Sequence, residues 1–454
     1  MRPYAFTHAN VLNGTKDMSL QKDMTLLVND GLIQSIVEGS RAVPAGYKTI
    51  DLKGSYLMPG LINLHAHLPG SGKAHTIDAS TGELIRKQLT SPIGRRIMTS
   101  MCYQNALAGL KSGVTTIRTV GGLGDLDAEI RDSIDEGKKL GPRILTSNTA
   151  ISVPDGHMAG TLAYIANSTE EAVSYVQQIA AGRPDLIKLM VTGGILDADD
   201  EGTPGAMRMP PEMVKAACGE AHRLGYPVAA HVLNAEGMRV CASCGVDTIE
   251  HGAVLTEQEK ELMKAHGTAV ICTISPLVPM KLGDRAETGL SDLMCKNGSW
   301  DFDGVVSCAK DCLAYDIPVG LGNDTGCPFV MHYDFWRELV YFQRYVGVSS
   351  AFALHTATLG NAEIAGISDI TGSITEGKSA DFLITKENPL EDLNNLSQPA
   401  MVVIRGNVIN RPRIKHNRAY DRILKGRESD KNNTRPCEEI EPTAGYEEHE
   451  AKQT

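Results

Sequence analysis

Residues 57–67 read Leu-Met-Pro-Gly-Leu-Ile-Asn-Leu-His-Ala-His. A short apolar run closed by polar groups predicts a strand over 57–64, buried on both faces as in a parallel sheet. Side chains at i and i+2 leave a strand on one face, so His65 and His67 can meet a single metal ion. Such a pair, taken alone, is as readily an ordinary pair of interior histidines, so its place in the fold must decide. Seven further apolar runs follow, at 114–120, 142–148, 186–191, 228–232, 248–250, 269–274 and 319–322. Amphipathic stretches separate most of them. Ser168-Thr-Glu-Glu171 and Thr256-Glu-Gln-Glu259 read as capping boxes, and Gly113, Gly225, Gly245 and Gly267 as helix stops. Strands alternating with helices predict a mixed α/β fold, a (β/α)8 TIM barrel over residues 59–366. In that architecture the chemistry gathers at the C-terminal ends of the strands.

Both ends of the chain read as β structure. Runs at 9–14, 24–28, 32–37 and 49–52 precede the barrel, with Asn29-Asp30-Gly31 as a hairpin turn. Runs at 372–374, 380–384 and 401–408 follow it. Together they predict one small β-sandwich built from residues 1–58 and 367–415. Residues 416–454 read as an acidic, disordered tail, since 428–454 carry a net charge of −5 and few apolar residues.

The 454 residues are 42% hydrophobic, ample for a large core, with a formal charge of −11. An acidic balance argues against nucleic acid as the partner. No apolar run reaches the ~18–20 residues that span a bilayer, so no membrane partner is expected. The N-terminus lacks a signal-peptide pattern and ten cysteines suggest reduced thiols, which predicts the cytoplasm. The expected partner is a small-molecule substrate; a homo-oligomer is compatible with the sequence.

Later strand ends carry further candidates. Lys188 lies inside the apolar run Leu186-Ile-Lys-Leu-Met-Val191, where it must be paired, neutralised or snorkelling. His231 and His251 close two strands, and Asp324 follows Val319-Gly-Leu-Gly-Asn. Each alone is as readily a hydrogen-bonded interior residue, but their common placement argues for a site. Cys241-Ala-Ser-Cys244 and Cys308 with Cys312 suit helix packing, and His222 and His266 fall on helices away from strand ends. Gly121-Gly-Leu-Gly124 lacks a full dinucleotide fingerprint and reads as a loop lining the pocket.

The ordered set His-x-His, Lys, His, His, Asp resembles the amidohydrolase superfamily over roughly residues 1–415. The flanks 57–62, 248–252 and 322–325 agree, as does the β segment 372–384. The resemblance implies a binuclear site holding two divalent metal ions, zinc by analogy. His65, His67 and Asp324 would hold one ion, His231 and His251 the other. Lys188, N-carboxylated by CO2, would bridge them. A bridging water would ionise near neutral pH, with Asp324 as general base.

Within the superfamily the chain is similar to prolidase-like and Xaa-Arg-type dipeptidases, through Lys188-Leu-Met-Val-Thr-Gly-Gly194 and the Gly156-His157 pair. This resemblance implies that His157 contacts the substrate carbonyl or its oxyanion; otherwise it is a loop histidine in an ordinary turn. The implied reaction is hydrolysis of a dipeptide or N-acyl amino acid amide. Leu233 stands where these relatives often carry a tyrosine for the substrate carboxylate. Arg95, Arg96 and Arg208 are alternative anchors. Cyclic-amide opening or deamination is the alternative reaction, though those branches typically lack the bridging lysine. The connections 75–96 and 276–300 are expected to shape the pocket.

Overall fold

The computed structural model describes residues 2–39, 43–73 and 79–428. Residues 1–415 form one compact unit, while a second unit begins at His416. In chain order, strands β1 (Tyr4–Leu12), β2 (Leu20–Asn29), β3 (Leu32–Glu38), β4 (Lys48–Asp51) and β5 (Tyr56–Pro59) open the first unit. Three parallel strands follow: β6 (Leu61–Ala66), β7 (Val114–Thr119) and β8 (Arg143–Thr146). Seven more form a second parallel sheet: β9 (Ala150–Ser152), β10 (Ala163–Ile165), β11 (Ile187–Met190), β12 (Val228–Val232), β13 (Thr248–His251), β14 (Ala269–Cys272) and β15 (Val319–Leu321). Its order is β10-β9-β11-β12-β13-β14-β15. Finally β16 (Phe382–Thr385), β17 (Met401–Ile404) and β18 (Asn407–Asn410) return to β1–β5 in one eight-stranded mixed sheet.

That mixed sheet joins the two ends of the chain through β16, which pairs antiparallel with β5. One face packs Phe6, Val11, Leu26, Leu57, Phe382 and Val403 into a buried cluster. The Phe6 and Phe382 rings meet edge to face at 5.8 Å, the geometry their quadrupoles favour. The β2–β3 turn is a two-residue hairpin. Asp30 and Gly31 both have positive φ, as a turn matched to the twist of the flanking strands requires.

Several expected elements differ in detail. The run 57–64 is two strands, because the chain changes sheets at Gly60. Pro59 pairs with Phe382, whereas Leu61 pairs with Val114. A Cβ at Gly60 would sit 2.1 Å from Thr115 Oγ1, so only glycine lets the strands cross there. The run 401–408 is a hairpin, turned by Arg405 and Gly406 at positive φ. Residues 372–374 form no strand, and β9 and β10 were not anticipated. Thr256 and Glu259 make the full capping box, whereas Glu171 reaches back to the Asn167 N–H instead of Ser168. The four helix-stopping glycines all take positive φ.

The expected unstructured tail begins with a helix, Arg418–Glu428. Its Asn417 side chain accepts from the Tyr420 N–H, a cap too short to stand out in an acidic stretch. Residues 429–454 lie outside the described ones, as do 74–78 of the first connection expected to shape the pocket. No helix among the described residues is long and apolar enough to cross a membrane. The nine described cysteines are all free.

The parallel sheets approach each other at two places, on either side of the three-stranded sheet. Ala66 at the end of β6 bridges Thr325, beyond β15, and Asn361 Nδ2 donates to both Ile62 O and Leu321 O at 2.6 and 2.7 Å. Beside β8, Asp185 ahead of β11 donates its N–H to Thr146 O and accepts the Thr146 N–H on its carboxylate. Gly60→Ala is expected to cost about 1–3 kcal/mol through overpacking against Thr115. Chemical denaturation measures this, and an unchanged midpoint would show that the crossing tolerates a side chain.

Candidate active site

Each candidate residue lies on or just beyond a strand of the parallel sheets. His65 ends β6 and His67 follows it; Lys188 is inside β11; His231 and His251 sit on β12 and β13; Asp324 lies three residues past β15. Parallel registers stack them, with Met190 beside His231 and Val232 beside His251. His251 and Asp324 hold left-handed backbone angles, φ 73° and 53°. Non-glycine residues adopt that region at a cost, and such strain clusters at functional sites.

The hydrogen bonds behind the rings set their tautomers. His65 Nδ1 donates to Glu250 Oε2 at 2.7 Å, and His67 Nδ1 donates to Gly121 O at 2.9 Å. His231 Nε2 donates to Gly193 O at 2.8 Å. Carbonyls and carboxylates only accept, so in the neutral rings the protons sit on these outward nitrogens. The inward nitrogens then carry lone pairs. His65 Nε2 and His67 Nε2 lie 3.4 and 3.3 Å from Asp324 Oδ1, an oxygen with no hydrogen-bond partner. Three electron-pair donors turned on one another are repulsive unless a cation stands among them, and a neutral imidazole held from behind is the usual form of a metal ligand. His65, His251 and Asp324 offer ligand atoms within 4.8 Å of one another. The His231 and His251 rings are 4.6 Å apart. His251 Nδ1 contacts Thr273 Oγ1 at 2.7 Å, a hydroxyl that serves either tautomer. The donor set therefore fits divalent metal.

Charge and burial complete the cluster. Lys188 is 1% exposed and its Nζ has no hydrogen-bond partner. Burial pushes its pKa down to about 8, against the pull of Glu250. Burial likewise holds His231 and His251 well below the ordinary imidazole range, with neighbouring cationic groups adding to it. Glu250 goes the other way. Burial alone would raise it, yet Arg118, His65 and Lys188 keep it ionised. Arg118 spans three strands, giving Nε to Leu64 O, Nη1 to Thr248 Oγ1 and Nη2 to Glu250 Oε1 at 2.7, 3.1 and 2.7 Å.

His157 lies in the β9–β10 loop but does not face water. Its ring stacks on His231 at 4.3 Å, and its Nδ1 lies 2.9 and 3.0 Å from the two oxygens of Asp197. Asp197 also accepts the Met158 N–H. Gly194 makes room for the ring, since a Cβ there would fall 2.0 Å from His157 Nδ1. Two clefts, of about 450 and 630 Å3, open onto the cluster and share His157, Leu196, His231, His251, Asp324 and Cys327. His65, His67 and Lys188 line the larger one, and Leu233 lines the smaller. Pro276, Leu277 and Met280, from the connection expected to shape the pocket, also line the smaller cleft.

All six expected metal-site positions thus come together, with His157 beside them. The proposed arginine anchors do not join them. Arg95 pairs with Asp125 and Glu129, Arg96 is exposed, and Arg208 lines neither cleft. His222, on a helix, pairs with Asp247 just ahead of β13. Sequence reasoning missed Arg118, Asp197, Glu250 and Thr273. Glu250 carried the only local hint, a carboxylate inside a strand next to His251.

A fold of parallel strands whose ends carry this donor set defines a metal-binding hydrolase site. The family model described as the amidohydrolase family matches residues 56–409, and the chain belongs to that family. It is a hydrolase acting on amide C–N bonds. A Bifidobacterium longum protein assigned as a prolidase has a crystal structure 36% identical to this chain, with TM-score 0.83, covering 93% of this chain and 98% of its own. A Xaa-Pro dipeptidase solved with methionine in its active site is 26% identical, with TM-score 0.77, covering 90% and 100%. Ochratoxinase from Aspergillus niger is 28% identical over 376 residues, 76% of this chain and 73% of that protein.

Arg118→Met should destabilise the protein by about 3–5 kcal/mol, because it strands a buried carboxylate. Adding Glu250→Gln should recover part of that loss. Denaturation midpoints of the single and double variants check the pair, and equal losses would exclude the ionic coupling.

Proposed function

We propose that the protein hydrolyses the amide bond of a dipeptide or N-acyl amino acid at a binuclear metal site. The observation that carries this is Lys188, whose partnerless amine is buried in the core beside the histidine–aspartate cluster. A buried neutral amine reacts with CO2, and a carboxylated Lys188 would present two oxygens to two cations. His65, His67 and Asp324 would hold one ion, His231 and His251 the other, with Lys188 between them. Zinc suits this nitrogen and oxygen set. When bound, such ions supply Lewis acidity that makes water nucleophilic near neutral pH and polarises a carbonyl.

The chain's own groups do the rest. Asp324 takes a proton from the attacking water at its carboxylate and passes it to the leaving nitrogen. His157 turns toward the substrate carbonyl oxygen, and Asp197 behind it stabilises the charged ring that a donating Nε2 requires. Glu250 keeps the His65 proton on Nδ1. The fold supports the reading as a (β/α)8 barrel over about residues 59–366, closed by the edge contacts of the two parallel sheets. The mixed sheet supports a β-sandwich from residues 1–58 and 367–415. Sequence similarity to a dipeptidase favours the substrate class.

Chelation should abolish amide hydrolysis and zinc should restore it. Lys188→Ala should lose metal, measured by elemental analysis, together with at least ~100-fold of turnover. Asp324→Asn should cut kcat by roughly 10²–10⁴ with an unchanged melting transition. Full activity in the metal-stripped protein, or in Lys188→Ala, would overturn the binuclear site.

A further inference from the structure

The smaller cleft runs from the cluster onto a wall of a different character. Beyond His157, His231, His251 and Asp324, and apart from Thr273 and Cys327, it is lined by Ile195, Leu196, Leu233, Pro276, Leu277 and Met280. Three connections supply this wall: the one after β11, the one after β12 and the one after β14, whose short helix Val278–Leu282 carries Met280. Leu233, Leu277 and Met280 are themselves nearly buried, at 7%, 4% and 4% exposure, so they present a packed surface that must accept a ligand by shape.

The wall is also held in place. The Leu233 N–H donates to Thr192 Oγ1 at 3.1 Å, which ties the β12 loop to the end of β11. Glu338, fully buried, accepts the Ile274 and Ser275 N–H groups at 2.7 and 2.8 Å and the Ser275 hydroxyl at 2.5 Å. That grip fixes the segment immediately before Pro276 and Leu277. A charged side chain laid against that apolar wall would lose its water without gaining a partner from it, whereas each buried methylene is favourable.

We infer that this chamber is the specificity pocket, and that it selects a substrate with a bulky apolar side chain beside the scissile amide. The character of the wall favours leucine, methionine or phenylalanine over lysine, arginine, aspartate and glutamate. Leu233, Leu277 and Met280 determine the choice. This inference rests on the amide-hydrolase reading above and names its substrate class. It also gives Leu233 a role, as the part of the apolar wall that stands two residues beyond His231.

The test uses the zinc-loaded full-length protein and a panel of N-acetyl amino acids and dipeptides. On each side of the scissile amide in turn, one side chain is varied among leucine, methionine, phenylalanine, lysine and glutamate, and released fragments are followed by mass spectrometry. At one of the two positions, kcat/KM for methionine should exceed that for glutamate or lysine, of similar length, by roughly 100-fold or more. Leu233→Asp should narrow the leucine-to-lysine ratio at that position at least about tenfold, and Leu277→Asp gives a second route to the same result if the first variant misfolds. Equal or better turnover of charged side chains at both positions would overturn the inference while leaving the amide-hydrolase reading intact. Failure to cleave any member of the panel would overturn the dipeptide and N-acyl amino acid reading itself.

Discussion

A fully buried carboxylate, Glu250, is the constraint around which the site is organised. A charge at 0% exposure survives only when paired and hydrogen-bonded on every side, and Arg118, Thr248 and His65 meet that demand. The partners come from different strands. Arg118 lies on β7, His65 on β6, and Glu250 with Thr248 on β13. One electrostatic requirement therefore ties together strands from both parallel sheets. The same contact fixes the His65 tautomer, so a stabilising interaction in the core also prepares the ring to bind a cation.

That coupling of packing to chemistry recurs around the cluster. Gly121 O and Gly193 O accept from His67 and His231, so backbone at the strand ends orients the rings. Gly194 is small because His157 occupies the space a side chain would fill. His251 and Asp324 accept left-handed backbone angles where their side chains converge. Local strain at these two positions is compatible with a stable protein because the surrounding strands are buried. Lys188 is one of the interior polar groups left without a hydrogen-bond partner, and as a buried amine it is chemically distinctive among them.

The two clefts differ in their lining. The larger one is lined by all six clustered residues, of which His231, His251 and Asp324 also line the smaller one. The smaller one adds an apolar wall anchored by Glu338, remote in sequence from the residues it positions. Loops at the strand ends can therefore change what is admitted while the strands that carry the cluster stay as they are, the general logic by which one fold serves several substrates.

The sequence by itself determined the alternation of strand and helix, the return of β structure at both ends, and the six residues that meet at the strand ends. Those features are local: periodicity, a residue's place at the end of an apolar run, and spacing along one strand are all written in neighbouring positions. Tertiary structure alone decided the sheet change at Gly60, which depends on Thr115 across the crossing. It alone decided that Arg118 pairs with Glu250, 132 positions apart, and that Asp197 holds His157 from 40 positions away. It also decided that Arg95 and Arg96 lie away from the clefts while Leu233 and Leu277 share one wall. The physical reason is the same in each case. Burial, ionic pairing and pocket shape are properties of what the folded chain brings together across long sequence distances, and no local pattern encodes which distant partner will arrive.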